Sequence, residues 1–382
     1  MASLLQLPPL SLYIHIPWCV RKCPYCDFNS HAVRGELPEQ EYVARLLEDL
    51  EQEQVAAQGR EITSIFIGGG TPSLFSEQAI DQLLCGIARR VTLADDCEVT
   101  MEANPGTFEA ERFAGFRQAG VNRLSVGIQS FDDDKLQRLG RIHSSRDAIA
   151  AVEKLHQLGF DNFNLDLMHG LPEQTLQQGL ADLRQAIALQ PAHISWYQLT
   201  IEPNTEYYSR PPQLPEDEAL WAIQEEGHEL LQAAGYGQYE TSAYAQAGRR
   251  ARHNLNYWQF GDYLGIGAGA HGKVSWQATG QIVRRWKTRM PQHYLDRSRL
   301  LVAGEQQVEA DELPFEFMMN ALRLVDGVPS AWFEQRTGLT KARIDDAVRL
   351  GQDRGLLDRN EDAFRPTALG QRYLNDLLEL FL

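Results

Sequence analysis

Residues 15–31, HIPWCVRKCPYCDFNSH, crowd Cys19, Cys23 and Cys26 into eight positions directly behind the apolar run SLYIHI (11–16). The other two cysteines, Cys85 and Cys97, are remote in sequence. Five cysteines in 382 residues, three of them crowded, do not read as a disulfide framework. They point to a reducing compartment and to a metal or redox role for the cluster. A structural zinc would need a fourth Cys or His in closed geometry, and His31 could supply it. An iron–sulfur cube held by three thiolates would instead keep one iron open for another ligand.

Outward from this loop one rhythm repeats. Short β-rich runs recur at 64–70, 98–105, 123–131, 163–172 and 194–203, separated by amphipathic stretches such as EQEYVARLLEDLEQEQ (39–54). Strands alternating with helices predict βαβ units and a parallel sheet. Six units are too few for a closed eight-fold barrel. Each run nevertheless ends in polar, Gly or Pro residues, as barrel strands do where they meet their βα loops. The expected fold is therefore α/β, a partial six-stranded (β/α)6 barrel over residues 1–204, and a doubly wound open sheet fits the same pattern. Residues 205–310 are read as an extension rich in Tyr, Trp, Gly and His. Residues 311–382 are read as a mostly helical, winged-helix-like domain.

Charge removes one class of partner. The net charge is −16, and residues 315–382 hold 9 Lys/Arg against 11 Asp/Glu. Nucleic acid is not expected, because a polyphosphate would be repelled. No run reaches the roughly 18 apolar residues of a membrane span, and the N-terminus lacks the basic region of a secretory signal. The expected location is the cytoplasm; peripheral contact with the inner face of a membrane, and a homodimer, are compatible with the sequence.

Further candidate residues fall at the predicted strand ends. Gly68-Gly69-Gly70-Thr71-Pro72 ends the second run, and glycines let a backbone approach a ligand closely. Glu102, Gln129, Arg141 and Asp166 each lie at or just past a later strand end. Together they gather two carboxylates, an amide and a guanidinium at one barrel mouth.

The cysteine spacing followed by the glycine loop resembles the radical S-adenosylmethionine superfamily. The order of the motifs resembles its coproporphyrinogen-dehydrogenase branch over essentially the whole chain. The resemblance implies a [4Fe-4S] cluster on Cys19, Cys23 and Cys26, whose open iron takes the amino and carboxylate groups of S-adenosylmethionine. One-electron cleavage of that cofactor gives a 5′-deoxyadenosyl radical in such proteins. The positions implied to bind S-adenosylmethionine are Tyr13, Tyr25, Gly69, Gly70, Thr71, Glu102, Gln129, Arg141 and Asp166.

Two departures separate the chain from the dehydrogenases themselves. Their motif continues to a fourth cysteine where Phe28 stands here, and they carry a longer segment ahead of the first cysteine. HNLNYW (253–258) matches instead the signature of the branch's heme-chaperone group. That likeness implies heme as cargo, passed to acceptor proteins such as respiratory enzymes, with His253, Tyr257 and Trp258 as its contacts. His271, in GAGAHGK, is a second candidate for the iron ligand, since neutral imidazole is a common axial ligand. Asp262 and Tyr263 are assigned to the fold, and no residue is assigned a catalytic role. The alternative function is oxygen-independent coproporphyrinogen III dehydrogenase, which decarboxylates two propionates by a radical route.

Overall fold

A computed structural model describes residues 5–382, apart from the side chains at 107 and 108. Six parallel strands form its centre: β1 (Leu10–Ile16), β2 (Ile62–Gly69), β3 (Leu93–Ala103), β4 (Arg123–Gln129), β5 (Phe163–His169) and β6 (His193–Gln198). They neighbour one another in chain order. A doubly wound sheet would reverse that order at a switch point. The winding is that of a barrel wall.

Alternation along the strands sorts their faces. On β1, Leu10, Leu12, Ile14 and Ile16 are fully buried in the apolar core beneath the helices. Ser11, Tyr13 and His15 take the opposite, interior face. There Ser11 Oγ lies 2.7 Å from Ser64 Oγ, and the Tyr13 ring stacks on Phe66. The interior is a polar and aromatic ladder, because a partial barrel leaves it room that apolar packing does not fill.

The helices α1 (Glu39–Glu53), α2 (Glu77–Ala88), α3 (Thr107–Ala119), α4 (Ser145–Gln157), α5 (Leu176–Ala188) and α6 (Asp217–Ala233) cover the outer face. Their starts follow local chemistry. Ser144 with Asp147, and Thr175 with Gln178, form reciprocal capping boxes at α4 and α5, each satisfying two amides that the first turn leaves unpaired.

Beyond residue 204 the sheet grows on both sides. β8 (Ala243–Ala245) adds antiparallel to β6, and β7 (Gly237–Glu240) adds antiparallel to β8 at the sheet edge. On the other edge β9 (Asp262–Ile266) pairs parallel with β1, from Leu10↔Asp262 to Ile14↔Ile266. The hairpins β10 (His271–Trp276), β11 (Gln281–Lys287) and β12 (Val302–Gln307) continue from it. The extension expected over 205–310 is thus woven into one 12-stranded sheet with the barrel. The mostly helical C-terminal region holds a two-stranded ladder, Val328–Pro329 with Ala363–Phe364, and has its own apolar core. Leu5, Tyr239 and Phe260 are shared with that core, which fastens it to the barrel.

Candidate functional site

The cysteine loop is shaped largely by backbone bonds. His31 N–H donates to the Pro17 carbonyl at 2.7 Å and Val33 N–H to the Cys19 carbonyl at 2.9 Å. Distant segments clamp it. Tyr207 N–H donates to the Pro24 carbonyl at 3.0 Å, and the Asn29 amide donates to the carbonyls of Ala268 (2.8 Å) and Arg289 (2.9 Å). Cys19, Cys23 and Cys26 are all half-buried and line one cavity of about 300 Å³. Among the described residues no three His, Cys, Asp or Glu side chains converge closely enough to hold a single metal ion. Thiols spread around a cavity suit a cluster, which offers each thiolate its own iron. His31, the fourth ligand in the zinc reading, turns instead to Asn29 Oδ1 at 3.3 Å.

Eight of the nine positions expected to bind S-adenosylmethionine line this same cavity: Tyr25, Gly69, Gly70, Thr71, Glu102, Gln129, Arg141 and Asp166. Tyr13 is the exception and faces the neighbouring space described below. Gly69 has φ +115°, and a Cβ there would fall 2.5 Å from the His15 ring; one on Gly70 would fall 2.4 Å from the Trp18 carbonyl. The amides of residues 69–71 donate to Glu102, Ile16 and Trp18. The loop's backbone amides are therefore spent within the fold, which suits an ammonium group better than an anion.

The polar groups are fixed from behind. Arg141 donates to Asn104 Oδ1 at 2.6 Å and to the Gly127 carbonyl at 2.7 Å, and its other terminal nitrogen lies 3.8 Å from Cys23 Sγ. Asp166 accepts from Ser125 and Asn164, each at 2.8 Å. Gln129 accepts from the Tyr197 hydroxyl at 2.9 Å and sits at φ +70°, a conformation non-glycine residues rarely adopt.

Burial pushes the Glu102 carboxyl up to about 7; the Asp166 carboxylate adds to the shift and the Gly69 N–H opposes it. From the ordinary value near 4.5 up to about 7, the folded chain keeps a proton that the unfolded chain has released. Stability therefore falls as pH rises through that window. Glu102→Gln is expected to flatten this part of the stability–pH curve in the ligand-free protein. Urea midpoints at about pH 5 and about pH 8 measure it, and an unchanged slope would reject Glu102 as its source.

A second, larger cavity of about 740 Å³ adjoins the first and shares Phe28, Gly69 and Glu102 with it. Aromatic rings dominate its wall, with Tyr13, Tyr257, Tyr263 and Trp286 beside His15, His271 and Arg289. Phe28 is 60 % exposed at the junction of the two spaces. Such a volume lies within the roughly 300–1,000 Å³ typical of cofactor-sized pockets.

The "Radical SAM superfamily" model matches residues 13–186, and the "HemN C-terminal domain" model matches residues 308–373. The heme chaperone HemW of Escherichia coli is 56 % identical over 99 % of this chain and 100 % of its own length. The chain belongs to the HemW family of radical SAM proteins. HemW of Bacillus subtilis is 35 % identical over 97 % of the chain and 99 % of that protein. A bovine mitochondrial relative, radical S-adenosyl methionine domain-containing protein 1, is 36 % identical over 96 % of the chain and 86 % of its own length. The solved structure of the E. coli coproporphyrinogen III oxidase HemN, a radical SAM enzyme, superposes with a TM-score of 0.82 over 98 % of this chain and 90 % of that one. At 21 % identity that likeness establishes the fold alone.

In this HemW-family chain the HNLNYW segment forms a short helix, α7 (Arg252–Trp258), set into the barrel interior. Glu98 Oε1 accepts from its first amides, those of Arg252 (2.9 Å) and His253 (3.3 Å). His253 is 1 % exposed. Its Nδ1 lies 3.0 Å from Ser64 Oγ, and its Nε2 lies 2.9 Å from the Tyr257 hydroxyl. Both nitrogens are committed and the ring packs on Phe66, so this geometry does not present His253 as an iron ligand. Trp258 points to the C-terminal core, under the Arg323 guanidinium. Of the three heme candidates in the motif, Tyr257 lines the larger cavity and His253 and Trp258 do not.

The other two assignments in FGDYLGIG divide. Asp262 belongs to the fold, buried and paired with Arg60 at 2.8 Å and Lys273 at 3.2 Å. Tyr263 lines the larger cavity, against expectation. Adjacent strand residues face opposite ways, so one of the pair was bound to point inward.

Proposed function

We propose that this chain is a cytoplasmic heme chaperone that carries a [4Fe-4S] cluster and S-adenosylmethionine and passes heme to acceptor proteins, respiratory enzymes among them. Cys19, Cys23 and Cys26 would hold the cluster. Its open iron would supply a one-electron couple and a chelating position for S-adenosylmethionine. Around that cofactor Glu102 and Asp166 offer acceptors for ribose hydroxyls, the 69–71 loop offers acceptors for the ammonium, and Arg141 offers a cation for the carboxylate. The larger cavity is the proposed heme site. Contact with membrane-held acceptors would be peripheral; no helix among the described residues is long and apolar enough to cross a membrane.

The observation that carries this reading is the pair of adjoining cavities, one rimmed by thiols and polar groups, the other walled by aromatic rings. Phe28 at their junction supports a chaperone over a dehydrogenase, because it stands where the porphyrinogen enzymes carry an extra cysteine. The test uses full-length protein reconstituted anaerobically with iron and sulfide. One sample is titrated with ferric heme; another receives coproporphyrinogen III, S-adenosylmethionine and a one-electron reductant. Saturable heme uptake without protoporphyrinogen is expected. Formation of protoporphyrinogen, or failure to take up heme, would overturn the proposal.

A further inference from the structure

Three histidines lie in or behind the wall of the larger cavity, and they differ in whether a ring nitrogen is free. His15 uses both, at 2.9 Å from the Tyr13 hydroxyl and at 2.9 Å from the Asn29 carbonyl. His253 uses both, as described. His271 is exposed on the cavity wall and makes no hydrogen bond through either nitrogen among the described residues.

The His271 ring is held by other means. It stacks on Trp286 across the β10–β11 register, with centroids 6.5 Å apart and planes at 25°. Trp286 in turn lies over Gly304 of β12, where a Cβ would come within 2.2 Å of the indole. Arg289, exposed on the same wall, has no ion-pair partner among the described residues.

We infer that His271, rather than a residue of HNLNYW, is the axial ligand of heme iron, with Trp286 positioning its imidazole and Arg289 facing a propionate. The inference rests on the heme reading above and assigns the cargo's contacts. One ring nitrogen donates its lone pair to form the Fe–N bond, a water leaves the iron, and no electron is transferred. Stacking orients an imidazole without consuming a nitrogen, and guanidinium–carboxylate pairing is among the strong charge-assisted contacts. For the buried His253 to ligate through Nε2, its bond to the Tyr257 hydroxyl would break and the Tyr257 ring would have to leave its place.

The experiment compares full-length, reconstituted wild type with His271→Ala and His253→Gln, each titrated with ferric heme and with iron-free protoporphyrin. His271→Ala is expected to weaken ferric heme by roughly tenfold or more, about 1.4 kcal/mol, to change the ferric EPR spectrum, and to leave protoporphyrin affinity unchanged. Added imidazole should restore the wild-type spectrum. His253→Gln, checked for folding by circular dichroism, should keep it. Trp286→Leu should shift the EPR g values of the heme-loaded protein, and unchanged g values would remove its positioning role. If wild type takes up no heme, the heme reading itself fails. If wild type binds and His271→Ala matches it in affinity and spectrum, or folded His253→Gln alone loses the axial signature, the assignment of His271 is overturned.

Discussion

Cys23→Ser is expected to leave a chain that folds but retains no iron–sulfur centre after reconstitution and desalting, and that loses S-adenosylmethionine binding with it. A serine hydroxyl stays protonated at neutral pH and is a poor iron ligand beside a thiolate. No other cysteine can take its place. Cys85 is exposed on α2 and Cys97 is buried on β3, each far along the chain from the loop. The clamps on Pro24 and Asn29 also keep the loop from re-forming around a different thiol set. Iron and sulfide analysis per chain, with Cys85→Ser as control, measures this. Wild-type iron content in Cys23→Ser would reject the three-cysteine site.

Lys287→Met is expected to cost about 3–5 kcal/mol of stability at neutral pH, the usual effect of removing one member of a buried ion pair. Lys287 is 1 % exposed. Its ammonium donates to Asp49 and Glu53 of α1, each at 2.5 Å. Burial pushes the Asp49 carboxyl up, and Lys287 is the chief group opposing that shift. Without the ammonium two buried carboxylates lose their main compensation, and of the two the nearby Arg285, itself shared with Glu305, reaches Glu53 alone. The penalty should shrink as pH falls and Asp49, its carboxyl already pushed up by burial, takes up a proton. Adding Asp49→Asn and Glu53→Gln to Lys287→Met should recover most of the loss. Urea unfolding decides, and a loss below about 1 kcal/mol would show that the network does not hold this edge.

The same network reaches the heme site proposed above. Asp49 also accepts from the Gly267 amide (3.1 Å) and the Tyr294 hydroxyl (2.7 Å), while Tyr42 bridges the His15 carbonyl and the Ala268 amide. These bonds seat residues 267–268, which lead into His271. Loss of Lys287 should therefore disturb the larger cavity as well as the fold.

The thiol-lined side of the candidate site was legible because it is local. Three cysteines within eight positions, and one polar or glycine motif per strand end, survive any error in element boundaries. Tyr13 faces the larger cavity, which no local pattern could show: a strand residue's neighbours depend on what pairs at its flank, and that partner comes from residue 262 onward. His253 illustrates a different limit. On a helix, residues four apart share a face, so His253 and Tyr257 bond each other, and only packing decides which one meets the cavity. The larger cavity had a faint signal in the aromatic texture of residues 205–310. Its wall joins Asn29 to Ala268 and Arg289, contacts across more than 200 residues that no local pattern encodes.

The pairing of β1 with β9 also bears on how the molecule is born. Synthesis runs from the N-terminus at roughly 5–20 residues per second. The 63 residues between Gln198, which ends β6, and Asp262, which opens β9, therefore take about 3 to 13 s to emerge. Throughout that interval β1 has β2 on one side and nothing on the other, and Asn29 has no carbonyl to grip. The nascent chain thus passes through a stage in which its thiols are already grouped but one wall is still on the ribosome. Metal-delivery factors would have their widest approach then, and an open strand edge would be most in need of a chaperone of its own.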